Sequence, residues 1–94
     1  MENKNPSYCV VNTATSLTIK DKKCLFFGYI INGSNSDNSF RILDGDIEVI
    51  PPTLAIKENS VVLPVGIELK NGLTVVNCPS AFSAGNVSMT ILYC

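Results

Sequence analysis

The stretch that decides the fold is "VGIELKNGLTVVNC", residues 65 to 78 of the 94-residue chain. Its apolar residues alternate with other residues at a period of two, which is typical of a β-strand with one buried face. Within it, Asn71-Gly72 is the strongest short-range signal for a two-residue hairpin turn. A turn closed by those two residues alone would scatter the apolar side chains over both faces of the hairpin. The stretch therefore predicts β-structure but leaves the connection at Asn71-Gly72 open.

Two arrangements keep the odd-numbered apolar residues of this stretch on one face. In the first, residues 70–72 form a three-residue hairpin loop with Gly72 in the left-handed position of a bulge, so that Ile67 lies opposite Val75. In the second, residues 65–77 form one bent strand, with Gly72 marking a kink or a close backbone approach. The hairpin is favoured, because a glycine at the third loop position has a direct backbone reason.

The same period of two recurs along the whole chain and is interrupted every 8 to 12 residues by clusters of turn-forming residues. This pattern predicts an all-β fold, an antiparallel β-sandwich of jelly-roll-like or immunoglobulin-like type. We expect a single domain over residues 1–94, with 1–7 as a possible extended N-terminal arm. Loops are predicted at 33–39 and 79–85, a tight turn at 44–46, and a passage between the two halves of the sheet system at Pro51-Pro52. Strands are predicted at 8–12, 16–20, 24–32, 39–43, 53–57, 60–63, 66–70, 73–78 and 87–94.

One predicted strand, "CLFFGYII" (residues 24–31), is apolar on both faces. Because an antiparallel sandwich normally leaves one face of each sheet to water, the second face of this strand needs a cover. The N-terminal segment or the loop around Phe82 could supply it, and so could a neighbouring subunit. Strict alternation places four residues on that face, and we expect them to contact another subunit or a protein shell: Leu25, Phe27, Tyr29 and Ile31.

Composition argues against an enzyme. The chain has no histidine, no tryptophan and no recognisable nucleophile motif, so no catalytic residue is predicted. Asp44 and Asp46 could in principle act as a carboxylate pair, but "LDGD" is more typical of a turn. Calcium binding by these acids with Asp37 lacks the spacing of a known loop, and solvated loop acids are the simpler interpretation.

Several ligands are excluded on the same grounds. The four cysteines contain no CxxC pair and have no histidine beside them, so neither a metal site nor a cofactor is predicted, and the thiols are expected to pack as small apolar groups. A net charge of −1 without a basic stripe argues against nucleic acid. No apolar run reaches the ~18 residues of a membrane helix. The polar start "MENKNPSYC" is unlike a signal peptide, so synthesis in a cytosol is expected.

Three segments together resemble a group of small structural proteins from tailed-bacteriophage virions. They are "KCLFFGYIINGSNSDNSFRILDGD", "TLAIKENSVVLPVGIELKNGLTVVN" and the closing "VSMTILYC", and the resemblance extends over about residues 22 to 94. It resides in an "LxGxxxxN"-like strand and loop, an acidic turn and an "LPxGIxxxNGLxV"-like segment. The matching positions would be fold determinants and not a site: Gly28, Asn32, Asp44, Leu63, Pro64, Gly66, Asn71 and Gly72.

The resemblance implies a structural component of the phage particle, as an auxiliary or decoration protein on the capsid shell. Its partners would be viral protein subunits, either the major capsid protein or sister copies, in a multi-copy assembly. The chain would be made in the bacterial cytoplasm and reside in the virion. A tail or head-fibre component is the alternative within this class. A lectin-like carbohydrate-binding module is the alternative outside it, by analogy with other β-sandwiches. The arm 1–7 is a further candidate contact, and loops 33–39 and 79–86 are candidates for the outward side.

Overall fold

The computed structural model describes residues 7–11, 16–77 and 87–94, without the side chains of 34–38 and 77. No helix in these ranges is both long and apolar enough to cross a membrane. The elements are seven strands and one 3-10 turn. They are β1 Ser7–Val11, β2 Leu17–Lys20, β3 Cys24–Asp44, β4 Ile47–Ile56, the 3-10 turn Lys57–Asn59, β5 Val61–Leu69, β6 Leu73–Asn77 and β7 Val87–Tyr93.

The strands form two antiparallel sheets of four strands that share β3. Sheet A has the order β1-β7-β3-β5, and sheet B has the order β4-β3-β6-β2. The first half of β3 pairs in sheet A and its second half pairs in sheet B. The predicted antiparallel β-sandwich is therefore confirmed.

Two local predictions in this region are wrong. The predicted loop at 33–39 lies within β3, whose 21 residues run through it, and a register shift between Asn35 and Ser39 accommodates the extra residues. Pro51 and Pro52 lie within β4 and not between the halves of the sheet system. They are tolerated because β4 is an edge strand, and a register shift places both prolines opposite Arg41.

Ser7, the last residue of the predicted N-terminal arm, pairs with Tyr93 in sheet A. Residues 1–6 lie outside the described residues, as do the predicted loop at 79–85 and Phe82.

The core lies between the two sheets and draws on both. Tyr29 from sheet A meets Phe40 from sheet B edge to face, with ring centroids 5.0 Å apart. Such an aromatic pair adds to the burial of the two rings, so one strand, β3, ties both sheets together. Burial also raises the pKa of Tyr29. The buried apolar residues are Val11, Cys24, Phe26, Tyr29, Ile31, Phe40, Ile42, Ala55, Leu69, Leu73, Val75, Val87, Met89 and Ile91.

The Asn71-Gly72 connection is a corner between the sheets. β5 pairs with β3 in sheet A, whereas β6 pairs with β3 and β2 in sheet B, so β5 and β6 are not partners. The three-residue hairpin is therefore wrong, because Ile67 and Val75 lie in different sheets. The single bent strand is wrong as one continuous strand, since β5 ends at Leu69 and β6 begins at Leu73, but the close backbone approach that it expected at Gly72 is present. Gly72 has φ +125°, and an added Cβ would lie 2.5 Å from the carbonyl oxygen of Lys20. The glycine is needed for the left-handed conformation and for close contact with the backbone after β2.

Asp44 holds this corner in place. Its carboxylate accepts backbone hydrogen bonds from the N–H of Lys70 at 3.1 Å and the N–H of Asn71 at 2.7 Å. It stands at the end of β3 and is the first residue of the predicted tight turn 44–46, in which Gly45 has φ +62°. The acidic turn of β3 and the Asn-Gly corner, 26 residues apart in sequence, thus form one structural joint.

Replacing Asp44 with asparagine should destabilise the domain. One carboxylate oxygen would become an N–H₂ group facing a backbone donor, and the charge that strengthens the other hydrogen bond would be lost. We expect a loss of roughly 1 to 2 kcal/mol in the free energy of unfolding, measured by urea denaturation. Asp46→Asn is the matched control, since Asp46 is exposed in the same turn. Equal unfolding midpoints for both variants would contradict an anchoring role for Asp44.

Candidate interaction surface

A bulge at Gly28 determines which side chains of β3 face outward. Phe26 pairs with Tyr93 and Gly28 with Leu92, so Phe27 is the extra residue between two consecutive partners. Gly28 has φ +116°, and an added Cβ would collide with the carbonyl oxygen of Val61. A bulge inserts one extra residue into a strand. After the bulge, each side chain therefore points to the face opposite to the one that strict alternation would give it.

The four predicted contact residues consequently do not share one face. Tyr29 and Ile31 point into the core and are 3% and 2% exposed, so neither is a surface contact. Leu25 and Phe27 lie on the outer face of sheet A and are half-buried. The prediction assumed strict alternation through residues 24–31, which the bulge breaks. A glycine inside an apolar strand is itself a signal for a bulge. With a bulge assumed at Gly28, the sequence would have predicted that Tyr29 and Ile31 face the core.

After the bulge, Ile30 takes the outward position, and neighbouring strands extend the face. Ile30 pairs with Thr90, and Thr90 pairs with Val10 on β1, which places these three side chains in one row across sheet A. In the next row Tyr8 lies beside Leu92. Tyr8, Val10 and Ile30 are 70%, 46% and 40% exposed. Sequence reasoning missed Tyr8, Val10 and Leu92, because their proximity to β3 depends on strand pairing.

Phe27 packs over a second glycine on the outer face. An ideal Cβ built on Gly66 would lie 2.9 Å from Cζ of Phe27 and 3.2 Å from Cβ of Leu25. The absent side chain at Gly66 thus leaves room for the Phe27 ring against β5. We use the term outer face for the apolar group Tyr8, Val10, Leu25, Phe27, Ile30 and Leu92.

The outer face lacks charge over three adjacent strands. β1, β7 and residues 24–33 of β3 contain no Asp, Glu, Lys or Arg. Beside these strands, at the far end of the face, the described residues Lys23 and Glu68 form an exposed ion pair at 3.4 Å. A shallow depression of about 310 Å³ lies there, lined by Lys23, Cys24, Leu25, Glu68 and Cys94. An exposed sheet face normally carries polar and charged side chains, so this face is unusual for surface in contact with water.

Strand β5, at the edge of sheet A beyond β3, exposes further apolar side chains. Val65 and Ile67 are 75% and 44% exposed, and the adjacent valines at 61 and 62 are also exposed. This edge is interrupted by Pro64 and by a register shift between Phe26 and Gly28 of the neighbouring strand. Proline and irregular pairing both hinder the addition of another strand to an edge.

The described residues hold no group of side chains suited to binding a metal ion. No cluster of three or more His, Cys, Asp or Glu side chains that could hold a metal occurs in ranges 7–11, 16–77 and 87–94. The carboxylate of Asp44 accepts hydrogen bonds from the backbone of Lys70 and Asn71, and the side chain of Asp37 is not among the described side chains. Cys9, Cys24 and Cys94 are free thiols. Burial raises the pKa of Cys24, so its thiolate form is disfavoured and the thiol packs as a small apolar group.

Comparison of the chain with protein-family models, curated proteins and solved structures gives no match. The outer face is the structural observation on which a proposal of function rests.

Proposed function

We propose that this chain is a non-catalytic structural protein that binds other protein subunits through the outer face of sheet A. The observation that carries the proposal is the uncharged and largely apolar surface over three adjacent strands of that sheet, in which Thr90 is a polar side chain between Val10 and Ile30. A partner that covers it gains hydrophobic burial without removing any charged side chain of this chain from water.

The size of the gain fits weak contacts that are repeated many times. Full burial of a large apolar side chain is worth roughly 1.5 to 3 kcal/mol. Tyr8, Val10 and Ile30 are about half exposed, so their burial would add roughly 2 to 4 kcal/mol before the cost of association. A single contact of this strength is weak. On a lattice, however, many such contacts act together and bind the assembled form preferentially.

The partner we propose is the particle of a tailed bacteriophage, as the sequence resemblance implies. As an auxiliary or decoration protein, the chain would bind neighbouring shell subunits and stabilise the assembled capsid by mass action. It would be made in the bacterial cytoplasm and incorporated into the virion in many copies. A tail or head-fibre component would use the same apolar face against a different partner.

Ile30→Lys should prevent incorporation into the particle, because it places a charge in the middle row of the outer face. The measurement is quantitative mass spectrometry of gradient-purified particles from the phage that encodes the chain. We expect many copies of the unmodified chain and at least a tenfold loss for Ile30→Lys, about 1.4 kcal/mol of binding free energy. Ile47→Lys is the matched control, since Ile47 is 63% exposed on β4 of the other sheet.

Two results would contradict this proposal. Absence of the unmodified chain from purified particles would remove the virion role. Equal incorporation of Ile30→Lys and Ile47→Lys would remove the outer face as the binding surface.

Tyr8, whose ring is exposed on β1, is also the residue that a lectin-like function would use, because aromatic rings stack on sugars. A defined sugar preference on a glycan array, lost in Tyr8→Ala, would favour that function instead.

A further inference from the structure

The four edge strands of the sandwich differ in how they are protected from pairing with another strand. β5 contains Pro64 and Glu68, and β4 contains Pro51-Pro52 and Glu48. β2 is only four residues long, carries Lys20 and has a register shift. Charged residues, prolines, short length and irregular register are the usual devices that keep sheet edges from associating.

β1 has none of these devices apart from its modest length of five residues. Its sequence SYCVV has no charge and no proline, and all five residues pair with β7 without a register shift. Within residues 7–11, 16–77 and 87–94, β1 has no partner on its other edge. In this part of the chain no strand pairs with the backbone groups on that edge, which lie beside the exposed side chains of Tyr8 and Val10.

We infer that β1 pairs antiparallel with β1 of a second copy of this chain, around a twofold axis at Cys9. Such a twofold keeps the outer faces of both sheets on the same side, and residues whose numbers sum to 18 lie opposite each other. Tyr8 of each copy then meets Val10 of the other, and Cys9 meets Cys9. The two four-stranded sheets become one sheet of eight strands.

Chemistry favours a second copy as the occupant of this edge. An isologous contact requires a surface that is complementary to itself. Here the symmetry alone produces two aromatic and β-branched cross-strand pairs, which are favourable, and it brings no like charges together. The net charge of −1 causes little repulsion between copies. Because the contact also doubles the outer face, the inference deepens the proposed function and rests on it for the role of the enlarged surface.

The interface is small, so we expect a weak dimer with a dissociation constant on the order of 10 μM. Sedimentation velocity of the whole chain over a concentration series should show a reversible monomer–dimer equilibrium. A chain that stays monomeric up to about 500 μM, fifty times that constant, would overturn the inference.

A charge exchange tests the register. Tyr8→Lys and Val10→Glu should each weaken the dimer at least tenfold, because each places an isolated charge in the new strand pair. The double variant Tyr8→Lys with Val10→Glu should recover most of the affinity, since every Lys then lies opposite a Glu of the other copy. Val65→Lys, on the opposite edge of sheet A, is the control and should dimerise like the unmodified chain. Failure of the double variant to recover would overturn the register.

Cross-linking tests the same geometry without relying on charged variants. Opposite residues in an antiparallel pair have Cα atoms about 4.5 to 5.5 Å apart, within the range of a disulfide. Oxidation with copper phenanthroline should give a covalent dimer that Cys9→Ser abolishes and Cys94→Ser preserves. Linkage through Cys94 instead would overturn the axis at Cys9. An unmodified chain that is found in particles but does not dimerise would overturn this inference alone, whereas a chain that dimerises but is absent from particles would overturn the proposed function alone.

Discussion

Tyr29→Asp should unfold most of the protein. Tyr29 is 3% exposed, and its ring lies against Phe40 across the core with a second stacked contact to Phe26 at 6.5 Å. Removing a buried aromatic side chain costs roughly 3 to 5 kcal/mol, and burying an unpaired carboxylate adds to that loss. Because a domain of this size has roughly 5 to 14 kcal/mol of stability, we expect the variant to lose its cooperative transition in urea, followed by circular dichroism.

The control for this variant is the same substitution at Tyr8. Tyr8 is 70% exposed on β1 of the same sheet, so Tyr8→Asp should change the free energy of unfolding by no more than about 0.5 kcal/mol. A folded Tyr29→Asp protein with weakened association would restore the interpretation in which residue 29 is a subunit contact. The paired substitutions therefore compare a buried tyrosine of β3 with an exposed tyrosine of β1 in the same sheet.

Local sequence was sufficient to predict the class of the fold. β7 alternates through Val87, Met89 and Ile91, all of which are buried, because the pleat of a strand turns every second side chain to one face. The tight turn after Asp44 was also predictable, since Gly45 supplies a positive φ. These features depend on residues within a few positions of each other, which is what a single sequence shows most directly.

Features that depend on distant partners were not predictable in the same way. Asn71-Gly72 has the local chemistry of a hairpin turn, yet it forms a corner because β5 and β6 find partners in opposite halves of β3. The carboxylate that fixes this corner comes from Asp44, whose role a local reading assigns only to its own turn. Likewise, Tyr8 joins the outer face only through the pairing of β1 with β7.

The sequence predicts the apolar character of the candidate surface better than it predicts which residues form that surface. An apolar strand with an uncovered second face was recognised at residues 24–31, and the outer face indeed includes Leu25 and Phe27. Because Phe27 is an extra residue at the bulge, Ile30 points outward where strict alternation would have placed Tyr29. Gly28 thus controls both the core and the surface of sheet A, which makes it the most informative single position in the strand.

Gly28→Ala should cost about 2 to 4 kcal/mol, because alanine is strained at φ +116° and its Cβ would collide with the backbone carbonyl of Val61. If the chain relieved this strain by losing the bulge, Tyr29 and Ile31 would turn outward, which is a larger loss. Urea denaturation measures the cost. Gly66→Ala is the control: Gly66 has no positive φ, and its Cβ would meet the side chains of Phe27 and Leu25 on the half-buried outer side of the sheet and not a backbone carbonyl, so we expect a smaller cost of about 1 to 2 kcal/mol. Equal losses in the free energy of unfolding for the two variants would contradict a special requirement for glycine at position 28, and with it the role of the bulge in setting which side chains of β3 face the core.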